Sequence, residues 1–169
     1  MPAPDRRHPL HRLVLVGLAA LALAAAACRA RDAEPSPPTT TGAGAVAEHS
    51  RQVMPFDLAR TTHSFVPDDG GLVETVETAA PADPDQVQLI RAHLRSEAER
   101  FTAGDYGDPA RIHGDHMPGL AELRDGHDRV RVSYAETPAG ARLTFASDDP
   151  ALIDALHRWG AAQTADHGH

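Results

Sequence analysis

Eleven histidines stand in a chain of 169 residues, and their surroundings are the first chemistry the sequence offers. The densest group is His113-Gly114-Asp115-His116-Met117-Pro118, which sets imidazole, carboxylate and thioether donors within a few residues of one another. Gly and Pro can hold such a loop in a fixed shape. His93 and Glu97 are four residues apart, which on a helix puts an imidazole and a carboxylate on one face. His63 lies in Thr61-Thr62-His63-Ser64-Phe65, where strand alternation turns His63 inward if Phe65 is buried. His157 adjoins Leu156 in the last apolar-periodic stretch, a position comparable to that of His93 beside Leu94. Asp166-His167-Gly168-His169 ends the chain as a His-containing tail, of a kind that is usually idle.

Imidazole suits copper, zinc and iron, and thioether sulfur favours Cu(I) or haem iron. The expected ligands are therefore His63, His93, Glu97, His113, His116, Met117 and His157, with copper ahead of zinc and haem behind both. Two other readings stay open. Each histidine can instead be a structural residue of a non-catalytic envelope interaction or scaffold domain. A small metal-dependent hydrolase would need a general base beside an open metal, and Glu97 is the residue placed to serve. No residue is assigned a catalytic role.

The absences narrow the choice further. Every basic side chain is Arg, so the chain has no P-loop lysine, no Schiff-base lysine and no Ser-x-x-Lys nucleophile. Cys28 is the only cysteine, which excludes an internal disulfide, a Cys-based zinc site and an iron–sulfur cluster. There are 24 acidic residues against 16 basic ones. That balance disfavours nucleic acid as a partner and favours cations. A protein partner is left unspecified.

The elements that must position these residues fall between Gln52 and about Ala165. Thr61–Val66 and Leu72–Thr78 flank Pro67-Asp68-Asp69-Gly70-Gly71 and read as a β-hairpin. Asp83-Pro84 reads as an N-cap followed by a first-turn proline. Val87, Ile90, Leu94, Ala98 and Phe101 then recur at helical spacing as far as Gly104. Gly104–Pro118 is punctuated too often for a long helix, and a short one is expected from Pro118 to about Arg124. Val130, Val132 and Tyr134 alternate, a Thr137-Pro138-Ala139-Gly140 turn follows, and Leu143 and Phe145 alternate in the return strand. Asp149-Pro150 opens a last helix whose Leu152, Leu156 and Trp159 share a face. The order predicts an α+β domain: a four-stranded antiparallel sheet from two hairpins, with two long helices on one face, as a degenerate ββα repeat.

Ahead of this domain, Arg6, Arg7 and Arg12 precede an uncharged run from Leu13 to Ala27 and then Cys28. This is the pattern of a secretion signal, too short to span a membrane comfortably. Cys28 is the expected lipid-attachment residue, although Ala25 stands where such sites usually carry Leu, and ordinary cleavage at an Ala-x-Ala site is the alternative. Residues 29–51, rich in Pro, Thr, Ala and Gly, are expected to be a disordered tether. The protein is thus expected in the periplasm as a lipoprotein, anchored in a membrane not specified further.

The stretches Thr-Thr-His-x-Phe, His-Leu-x-x-Glu-Ala-x-Arg-Phe-x-x-Gly-Asp-Tyr, His-Gly-Asp-x-Met-Pro-Gly-Leu and His-Arg-Trp-x-x-Ala-Gln-x-x-Asp-His-Gly run in this order within roughly Phe56 to Gly168. Together they resemble a family of small exported bacterial proteins without an established function. Gly160 departs from that pattern, which has an aromatic after the Trp. Some members carry the label aspartate carbamoyltransferase, an activity whose Ser-Thr-Arg-Thr loop and catalytic Lys have no counterpart here. The resemblance implies domain boundaries and no mechanism.

Overall fold

The computed structural model describes residues 42–79 and 83–167, which fall within one compact unit, residues 38–169. The signal, Cys28 and the first part of the expected tether lie outside the described residues. Gly42–Val53 form a helix, α1, where the tether was expected to continue to residue 51. The stretch has no Pro and is rich in Ala, a composition that favours helix. Glu48 bonds Arg51 at 2.7 Å and Gln52 at 3.2 Å, and Ser50 is buried.

A four-stranded antiparallel sheet follows, of strands β1 (Thr61–Asp68), β2 (Gly71–Thr78), β3 (Arg131–Thr137) and β4 (Gly140–Ala146). The order is β1-β2-β4-β3, so the two hairpins meet along their second strands. Asp68 accepts a hydrogen bond from the Gly70 amide at 2.9 Å in the first turn. Two long helices, α2 (Pro84–Thr102) and α5 (Pro150–His167), carry the Asp-Pro starts read in the sequence. Asp83 accepts from the Asp85 amide at 3.0 Å, and Asp149 from the Ala151 amide at 2.9 Å, satisfying first-turn donors that a helix leaves open.

Each long helix crosses to the other hairpin: α2 lies mainly over β3 and β4, and α5 over β1 and β2. Arg91 holds α2 there by donating to the Thr137 and Gly140 carbonyls at 2.6 and 3.1 Å. Between sheet and helices, Leu72, Val76, Leu143 and Phe145 meet Ile90, Leu94, Phe101, Leu156 and Trp159 in a single core. Gly160 lets α5 approach β2, because a Cβ there would stand 2.6 Å from a methyl of Leu72. No helix among the described residues is long and apolar enough to cross a membrane.

The segment expected to be irregular before Pro118 contains a short helix, α3 (Gly107–His113), on which α1 packs. Pro109 falls in its first turn, where a missing amide hydrogen costs nothing, and Ile112 is buried. A further short helix, α4, spans Leu120–Asp125. The last helix runs two residues past the expected domain end, so Asp166 belongs to α5 and not to a tail.

Candidate functional site

The apolar stripe of α2 reads Val87, Ile90, Leu94, Glu97, Phe101, so a carboxyl occupies a core position. Strand β2 does the same. Leu72, Glu74 and Val76 share the face under the helices, and the cross-strand neighbours of Glu74 are Phe65 and Leu143. A carboxylate on the core face of a central strand has lost its water and needs a partner. Glu74 makes no hydrogen bond or ion pair with any described side chain, and burial alone pushes its carboxyl up to about 7.

Glu74 and Glu97 line one small, partly open cavity of about 40 Å³, together with His63, His93, Asp108 and His113. That volume holds about one or two water-sized groups, not an organic substrate. β1 supplies His63, whose side of the strand is partly buried as its alternation required. α2 supplies His93, α3 supplies Asp108 and His113, and the Phe56 ring lies 5.8 Å from that of His63 and 5.6 Å from that of His93.

The electrostatics follow from burial. Glu97 is pushed up to about 8, first by desolvation and then by the neighbouring Asp108, whose carboxyl also shares a hydrogen bond with it. Arg100 is the nearest counter-charge. Its Nη1 donates to Glu97 at 3.2 Å and to Asp108, and its Nε donates to Asp105 at 2.9 Å. Three carboxylates divide that one guanidinium, with Arg111 adding a bond to Asp108 at 2.9 Å. Desolvation lowers His93 and His113, which favours the neutral, ligating form of imidazole. Trp159 Nε1 and Gln163 Oε1 also belong to the cavity wall, are more than nine-tenths buried, and have no hydrogen-bond partner among the described residues.

Of the residues singled out in the sequence, His63, His93, Glu97 and His113 are thus brought to one cavity. Three are not. His157 Nε2 bonds the Asp68 carbonyl at 3.0 Å, beside the first hairpin turn. It follows Leu156, whereas His93 precedes Leu94, so the two rings leave opposite flanks of their helices. Met117 is buried in the core, and with the exposed His116 it lines a separate open groove of about 410 Å³. Among the described residues, no three His, Cys, Asp or Glu side chains stand in a metal-holding arrangement.

Sequence reasoning missed Glu74, Asp108, Arg100 and Gln163. For Glu74 a signal existed: the alternation that buries Leu72 and Val76 turns residue 74 to the same face, where it is partly buried. For Asp108 it did not, because the helix that turns it inward was hidden by Gly107 and Pro109. No family model, no curated protein and no solved structure matches the chain.

Proposed function

We propose that this domain binds one divalent transition-metal ion in the buried cavity, with imidazoles from His63, His93 and His113 and carboxylates from Glu74 and Glu97. The observation that carries the reading is Glu74, a carboxyl on the core face of β2 with no side-chain partner among the described residues, facing the same small space as three imidazoles. A cation entering there would replace the protons that burial forces onto the carboxyls and would meet imidazole in its ligating form. The unpartnered Trp159 and Gln163 atoms suit a bound water beside such an ion.

Size and donor type set the order of candidates. A cavity of about 40 Å³ is far too small for haem. Preference for Cu(I) rested on the Met117 thioether, which lines the other groove, so nitrogen and oxygen donors put zinc or Cu(II) first. The ligands must draw together on binding, since they are not preassembled. That same fact favours the competing reading, an envelope interaction domain with structural histidines. Export and lipid attachment at Cys28 complete the proposal on the sequence pattern alone.

Thermal melting of tag-free protein with and without stoichiometric Zn(II) or Cu(II) separates the two. A ligand of the native state raises the melting temperature by mass action. The shift should vanish in His93→Ala and persist when His167 and His169 are both replaced. No shift with either metal, or one that depends on the terminal histidines, favours the interaction domain.

A further inference from the structure

His113 is common to the wall of the buried cavity and the wall of the outer groove. Its side chain is only 1% exposed, and its Nδ1 lies 2.7 Å from Oδ2 of Asp166. Asp166 reaches it from the last turn of α5, with its own side chain on the groove. A negative charge in the last turn of a helix opposes the helix dipole, so Asp166 does not serve the stability of α5. Its contact is with a ring 53 residues away in sequence, at the boundary between the groove and the cavity.

We propose that Asp166 is a positioning residue for the buried site: its carboxylate accepts the Nδ1 proton of His113, fixing the ring so that Nε2 is the nitrogen offered to a divalent cation in the cavity. This rests on the metal-binding reading above. The chemistry is that of outer-sphere carboxylates on metal-bound histidines, which set both tautomer and orientation. A neutral imidazole carries a proton on one nitrogen and a lone pair on the other, so a donating Nδ1 leaves the lone pair on Nε2. Gly114, at a φ of +91° with open space around it, ends α3 immediately after His113. The helix thus ends at the residue that carries the ring, and Asp166 reaches that ring from α5.

Two measurements on the full domain test this. Nitrogen-15 NMR of the metal-free protein reads the tautomer: wild type should show His113 protonated at Nδ1, and Asp166→Ala should lose that preference. Zinc affinity should fall about 10- to 100-fold in Asp166→Ala and recover in part in Asp166→Glu, while the melting temperature without metal falls modestly in Asp166→Ala, as expected for one lost hydrogen bond. An Nε2-protonated ring in the wild type overturns the assignment. So does zinc affinity unchanged in Asp166→Ala, and in that case the metal-binding reading survives. Failure of the wild type to bind zinc removes that reading and this one with it.

Discussion

The two long helices start alike and do different work. Both open on Asp-Pro and both set a histidine beside a core leucine, yet α2 delivers His93, Glu97 and Arg100 to the buried cluster while α5 delivers mainly Leu152, Leu156 and Trp159. The difference begins with one residue of offset. A ring one position before the core leucine and a ring one position after it lie roughly 200° apart around a helix, at about 100° per residue. His93 therefore turns toward Phe56 and the cavity, and His157 turns toward the Asp68 carbonyl. A near-repeat in sequence does not make a repeated site. Which flank a polar residue takes matters as much as its distance from the core.

Breaking the apolar contribution of α5 should have the largest effect. The Trp159 ring is fully buried and packs against Phe65, Phe101, Tyr106 and Phe145 at centroid distances of 5.4 to 6.3 Å. Trp159→Ala should cost about 3–5 kcal/mol in chemical denaturation. A loss below about 1 kcal/mol would show that α5 is not the wall described.

The charged side of the comparison is sharpened by pH. The Glu74 carboxyl rises from 4.5 to about 7 on folding, so between those values the native state holds a proton that the unfolded chain has released. Stability falls with rising pH across that window, and Glu97, at about 8, extends the fall. The lowered His93 and His113 act oppositely: below about 6.5 the unfolded chain binds more protons, and stability grows as pH rises toward that value. Glu74→Gln isolates one contribution. Its stability relative to wild type should be near zero at about pH 5 and higher by about 2–3 kcal/mol at about pH 8. Equal differences at the two pH values would mean that Glu74 is not desolvated.

The smallest effect belongs to the histidine that leaves the wrong flank. His157→Ala removes one hydrogen bond to a carbonyl and should cost about 0.5–1.5 kcal/mol. It should leave any zinc-induced stabilisation intact, whereas His93→Ala should abolish it. Loss of the zinc effect in both variants would collapse the distinction between the helices.

Local chemistry made much of this fold legible. Asp83-Pro84, Asp149-Pro150 and the Asp69-Gly70 turn act through adjacent atoms, and the alternation in β1 turned His63 inward without knowledge of its neighbours. The first hairpin is legible as a hairpin, but Glu74 was not singled out, because what covers its carboxyl comes from helices elsewhere in the chain. Helix α1 was lost for a related reason. The Pro- and Thr-rich residues before it coloured the whole segment, although Gly42–Val53 itself contains no helix breaker stronger than Gly. Asp166 looked like part of a loose tail until α5 was seen to carry it to His113.

The most direct test of the account is to locate the ion. Crystals of tag-free protein equilibrated with Zn(II), measured at the zinc absorption edge, reveal its position by anomalous scattering. One ordered zinc is expected in the cavity between β1, β2, α2 and α3, ligated by His93 with His63 or His113 and by Glu74 or Glu97, with the same peak in His157→Ala. Zinc found only in the outer groove or at the C-terminal histidines, with the cavity residues unmoved, would contradict it.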